Sequence, residues 1–345
     1  MAKDFVPKLK QILKITIPLA LGVIILYFLY KDTDFTKMWL NIKGANWVIL
    51  TFSLIFGLAG NVIRGLRWEL LINPLGYYPK KRNLIYAVLG NYAVNFALPR
   101  AGEIWRCGVI CKEENIPFKK LIGTLIIDRM FDMVMVIIIA LIAFACNVSN
   151  FFQDINKFNQ RIDELNQNIE KSGLQKFLTS PYLYLAILLL LILFILSVIF
   201  LKNNFLVKKI RYFFATMWSD MLMVWKMKEK TRFIIYSFGI WIAYFLYFYI
   251  ALFAFDFTSH LGFAAGLFVF TLGAVSMGVP SNGGLGPWHF AVIFGLSTIY
   301  GVGKENAETF AFGVFAFQSI WVVACGLFGI FALSFNKKDF SLRSR

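Results

Sequence analysis

Charge is scarce in this sequence. Only 16% of its 345 residues are charged and 59% are hydrophobic, with a mean hydropathy of +0.67. So little charge cannot cover a soluble surface. The chain reads as one membrane domain dissolved mostly in lipid, with no soluble catalytic domain. Cysteine is scarce too: Cys107, Cys111, Cys146 and Cys325 are the four. Cys107 and Cys111 are spaced to share a helical face, but no Cys or His set lies near them. Small apolar core residues fit better than a metal site, and no metal or cofactor is expected. The sequence also lacks an Asp-x-Asp pair and a nucleotide-binding loop. No small-residue cleavage site follows the basic N-terminus, so the first apolar run reads as a span and not as a removable signal.

What charge there is leans positive, at +16. The positive residues cluster between apolar runs, where they fix topology and touch anionic headgroups; nucleic acid is not expected as a partner. Runs at 14–30, 46–63, 121–147, 181–201, 232–256 and 309–334 are long enough to cross a bilayer. Segments 1–14, 64–82, 112–120, 202–232 and the basic tail 337–345 are rich in Lys and Arg, which predicts cytoplasmic placement of both termini in an inner membrane. Residues 31–45 and 148–180 then fall outside. Short helices are expected at 151–171 on the outer face and at 211–228 in the inner interface. The membrane domain is read as residues 1–336, with 151–180 as an outer loop and 202–231 as a cytoplasmic one.

This orientation leaves 83–111 beginning and ending inside, and 263–300 beginning and ending outside. Each is interrupted, the first at LPRAGE (98–103) and the second at VPSNGG (279–284). The expected fold is therefore an all-α polytopic membrane protein of about six full spans plus two opposed re-entrant broken hairpins. Pro99 precedes Gly102 as Pro280 precedes Gly283, the trace of an inverted repeat.

Charges inside such segments mark function. Arg100, Glu103 and Arg106 surround the first break, with Glu103 and Arg106 spaced to pair on one helical face. Gly102 and Glu103 would open the returning half-helix, whose N-terminus together with Arg100 suits a phosphate. Asp128, Arg129 and Asp132 lie early in the span 121–147. The two aspartates share a face, with Arg129 about 100° away. They could hold Arg100 or Arg106 in place, accept protons, or form a structural ion network. At the second break Ser281, Asn282, Gly283 and Gly284 allow close backbone approach. Pro287 suits the first turn of a helix, and His289 would face the break, able to bind phosphate or carry a proton. Arg64, Arg67 and Trp68 read as an ordinary interfacial anchor ending the second span.

Four strings, GNVIRGLRWELL (60–71), GNYAVNFALPRAGEIWR (90–106), DRMFD (128–132) and VPSNGGLG (279–286), resemble the transmembrane domain of the lysylphosphatidylglycerol synthase/flippases and flippase-like membrane proteins. The resemblance covers about residues 10–335. Its most specific part contains Asn91, Asn95, Pro99, Gly102, Glu103 and Arg106. It implies lipid translocation, broken helical hairpins and an Arg–Asp pair at Arg129 and Asp132. The chain departs from the pattern at His289, where members usually carry an acid, and at Asp128, where they often carry Glu. Aminoacyl-transferring members continue into a large cytoplasmic domain. This sequence ends about ten residues after its last expected helix, so that activity is not expected of it. The leading expectation is translocation of an anionic phospholipid or lipid-linked headgroup. The alternatives are a membrane-embedded transferase acting on a lipid-linked sugar, or a non-transporting scaffold for an envelope-synthesis enzyme.

Overall fold

The structure is a computed structural model that describes residues 19–166, 224–225, 227–279 and 281–343. The chain divides into two compact units, residues 1–145 with 224–345, and residues 146–223. Only the first is described in detail below. The expected span 181–201, residues 211–223 and 226 of the expected interfacial helix at 211–228, and Pro280 lie outside the described residues.

Every regular element described is helical: α1 (Leu19–Tyr30), α2 (Phe35–Lys43), α3 (Trp47–Ile72), α4 (Lys81–Ala97), α5 (Ala101–Glu114), α6 (Phe118–Asn166), α7 (Lys230–Leu252), α8 (Asp256–Ser259), α9 (Phe263–Ser276), α10 (Pro287–Phe294) and α11 (Lys304–Arg343). Among the described residues, four stretches are long and apolar enough to cross a membrane: Trp47–Leu75, Phe118–Val148, Lys230–Leu252 and Lys304–Phe335. Local chemistry sets several boundaries. The Asp34 carboxylate accepts from the Thr36 and Lys37 amides and starts α2; the Asn46 side chain accepts from the Val48 and Ile49 amides and starts α3. Segment 31–45, expected only to fall outside, thus contains a capped helix. Likewise α3 runs nine residues past the expected end of the second span, which carries Arg64, Arg67 and Trp68 into its interior. The last helix extends through the expected tail to Arg343.

Two helical pairs are too short to cross. α4 has 17 residues and α5 has 14, about 25 and 21 Å at 1.5 Å per residue, against a hydrocarbon core of about 30 Å. α9 has 14 residues and α10 has 8, the latter continuing through one π turn at Gly295–Ile299. Each pair folds as a hairpin. The first is closed at its base by the Asn83 amide, which donates to Glu114 at 2.5 Å.

The two hairpins are rooted at opposite ends of the bundle. The base of the α4–α5 hairpin shares one buried apolar cluster with Trp68 and Ile72 at the end of α3, Leu121 and Leu125 at the start of α6, and Leu333 late in α11. The α9–α10 hairpin shares the other cluster with Leu50 at the start of α3, Ala143 farther along α6, and Ala307 and Phe310 at the start of α11. α4 lies along α11, with Tyr86 beside Gly329 and Ala93 beside Gly326. This register brings Phe96 to Phe315, with ring centroids 6.4 Å apart. Phe315 also touches Trp288 and His289 of α10, at 5.4 and 4.4 Å. The tips therefore meet against one residue, 11 positions or about 16 Å past Lys304 and well inside the apolar stretch of α11.

Candidate functional site

The first hairpin turns at residues 98–100, where Arg100 takes a left-handed backbone conformation with φ 58°. The first amides of α5 are already used: Ala101 donates to the Leu98 carbonyl at 3.1 Å, and Gly102 donates to the Asn95 side chain at 2.9 Å. Asn95 is thus a clip closing the turn, and the α5 N-terminus is less free than its sequence suggests. Gly102 is required by close approach, because a Cβ there would run into the Asn91 backbone carbonyl.

The second hairpin turns over residues 277–286, with positive φ at Gly283, Gly284 and Gly286. Ser281 and Asn282 are buried. Pro287 opens α10 as expected. His289 does not look into the break. It is 1% exposed and packs among Tyr30, Trp288 and Phe315, with Nδ1 lacking a hydrogen-bond partner.

The tips touch through two hydrogen bonds from side chains to backbone. Arg100 Nη2 donates to the Gly278 carbonyl at 2.6 Å, and Asn282 Nδ2 donates to the Phe96 carbonyl at 3.2 Å. Of the two arginines that the α6 aspartates could hold, Arg100 is not the one: it ties one tip to the other. It remains exposed.

Below the first tip lies a cluster of seven charges from three helices. Asp128 and Asp132 of α6 are its centre. Arg67 Nη2 lies 2.5 Å from Asp128 and 2.7 Å from Asp132; Arg64 Nη1 lies 2.5 Å from Asp132; Arg106 Nη2 lies 3.0 Å from Asp128. Arg64, Arg67, Arg106, Asp128 and Asp132 are all buried. Glu103 does not pair with Arg106, three residues on. It faces Arg129 Nε at 2.9 Å, and Arg129 reaches Asp132 at 3.3 Å despite starting from another side of α6. Glu103 and Arg129 are about one third exposed, so this pair is the open edge of the cluster. Arg106 stacks on Trp68, 4.6 Å from the ring centroid, and the Trp68 indole donates to Thr124 at 2.9 Å. On the far side Arg64 donates to the Tyr244 hydroxyl at 3.3 Å, and Tyr244 donates to Asn61 at 2.7 Å.

Arg64 and Arg67 are the residues that sequence reasoning misplaced. They read as a surface anchor because Lys and Arg near a span end usually are one. Their spacing of three on one helical face was the available signal for a shared pair of acids. Removing two such carboxylates from water is affordable only where cations and hydrogen bonds surround them, which is why three arginines converge here. Among the described residues no group of three or more His, Cys, Asp and Glu is placed to hold a metal.

No curated protein and no solved structure matches this chain. One family does: the lysylphosphatidylglycerol synthase TM region matches residues 15–326, a stretch that holds both hairpins and all seven clustered charges. The chain is a multi-pass membrane protein and belongs to the lysylphosphatidylglycerol synthase transmembrane-region family.

Proposed function

We propose that this protein translocates an anionic phospholipid or lipid-linked headgroup across the inner membrane, with both termini cytoplasmic. The observation that carries this reading is the meeting of two hairpin tips, rooted at opposite ends of the bundle, deep inside the apolar stretch of α11. Broken helices that end near mid-depth offer polar groups where hydrocarbon offers none, the arrangement used by transporters that alternate access about a central site. Arg100 is exposed at the first tip and Arg129 is partly exposed one turn below it, so an incoming phosphate meets cations at the crossing point. Acyl chains stay in lipid while the headgroup passes the tips. One hairpin and its supporting helices rock against the other, breaking and remaking the two tip hydrogen bonds.

The test is flipping of tail-labelled fluorescent phosphatidylglycerol in proteoliposomes, read by quenching from outside. The intact protein is expected to accelerate flipping over empty vesicles. Arg129→Gln is expected to slow it about tenfold, the worth of one charge-assisted contact of roughly 1.5 kcal/mol. Vesicles holding the intact protein that flip no faster than empty ones refute the proposal.

A further inference from the structure

The cluster is not electrically balanced, and the excess sits in its buried part, where three arginines face two aspartates. Arg64, Arg67, Arg106 and Arg129 bring four positive charges, and Glu103, Asp128 and Asp132 bring three negative ones. Among the described residues no further carboxylate lies within ion-pair distance of these arginines. One positive charge therefore remains without a counter-charge in an apolar surrounding, where an unpaired ion is strongly unfavourable.

The hydrogen-bond pattern says where the imbalance lies. Arg64 and Arg67 are each spent on aspartate, with Tyr244 and Ser237 taking further N–H groups. Arg106 uses only Nη2, toward Asp128; its Nε and Nη1 are buried and have no partner. Asn91, on the facing limb of the hairpin, is fully buried, and both Nδ2 and Oδ1 are without partners. The two residues lie in the same α4–α5 interface. Asn91 packs on Gly102, and Arg106 sits one turn from Gly102 on the same face of α5. A water molecule could satisfy these donors but would leave the charge unmatched. An oxyanion answers both needs.

We propose that the unspent N–H groups of Arg106, together with the Asn91 amide, form a binding site for one oxyanion group of single negative charge, a phosphodiester. This rests on the translocation reading for its biological ligand and deepens it. A phosphodiester brings the cluster to neutrality; a doubly charged phosphomonoester leaves it negative. These nitrogen atoms are buried in the structure, so the site fills when the tips part.

The experiment is equilibrium binding to the full chain in detergent, with two probes: dihexanoylphosphatidylglycerol and the lipid-free dimethyl phosphate. Asn91→Ala, which keeps every charge, is expected to weaken binding about 5- to 10-fold, the worth of one hydrogen bond to an anion. Arg106→Gln is expected to weaken it about 10-fold or more, through loss of a charged hydrogen bond and its full charge. Binding of both probes with this dependence assigns the site to the phosphodiester alone; binding of the lipid probe only, with the same dependence, adds the acyl chains. Binding that neither variant changes, or no binding of either probe, overturns the proposal. So does dihexanoylphosphatidic acid binding as tightly at pH 8.5, where it is doubly charged. Flipping is measured on the same variants. Normal flipping with binding unchanged by Asn91→Ala and Arg106→Gln sinks the site and spares the translocation reading. Variant-sensitive binding without any flipping by the intact protein does the reverse.

Discussion

Asp128→Asn is the substitution that tests the charge cluster most directly. Asp128 accepts from Arg67 Nε at 3.0 Å and Nη2 at 2.5 Å, and from Arg106 Nη2 at 3.0 Å, and is wholly buried. Asparagine preserves shape and removes one negative charge, so the excess in the cluster rises from one positive charge to two. Breaking a buried pair by neutralising one member costs about 3–5 kcal/mol. With an unfolding entropy of about 2.1 cal/mol/K per residue, 345 residues give about 1.4 °C per kcal/mol, so the apparent melting temperature in detergent should fall by about 4–7 °C. The assay is the fraction of protein remaining monodisperse after heating. Adding Arg106→Gln returns the excess to its original value. The double variant should therefore be more stable than additivity predicts, by about 0.5–3 kcal/mol, the range seen for coupled neighbours. A shift below about 1.5 °C for Asp128→Asn, about 1 kcal/mol by the same conversion, would refute the reasoning, and so would strictly additive single effects.

Two further outcomes follow from the hairpin geometry. Gly102→Ala should destabilise by about 2 kcal/mol and slow flipping, because its Cβ meets the Asn91 carbonyl, whereas the same change inside an ordinary helix gains roughly 0.5–1 kcal/mol; unchanged melting would mean the limbs are less tightly joined. In a cysteine-free background, single cysteines at Tyr78 and Lys304, both exposed, should be labelled by a membrane-impermeant maleimide from opposite sides, Tyr78 from the cytoplasm; labelling from one shared side contradicts the inverted arrangement.

Much of the fold was legible because lipid imposes a simple rule: apolar runs of sufficient length cross, and interrupted ones do not. The break at LPRAGE and the break around SNGG were visible as Pro and Gly in otherwise apolar stretches, and both are turns in the structure. Pro287 as the first helical residue followed from its fixed φ. Side-chain partners were less legible. Helical geometry sets Arg129 about 100° from the aspartates, yet its long side chain reaches Asp132, the pair that the family resemblance implied. Glu103 and Arg106 satisfied the spacing rule for an ion pair, but each found a better partner on α6. His289 occupies its expected helical turn, but packing against Tyr30 and Phe315 turns it into the core.

By itself the sequence determined that this is a helical membrane protein with two interrupted segments and a few charges set where charge is unfavourable, because hydropathy and backbone preference are local properties. Only the tertiary structure decided which charges meet. Arg64 and Arg67 are separated from Asp128 and Asp132 by about sixty residues, and nothing in either stretch alone distinguishes an anchoring arginine from a buried counter-ion. Packing of α3 and α5 against α6 makes that distinction, and it leaves Arg106 with a charge and two nitrogen atoms unanswered.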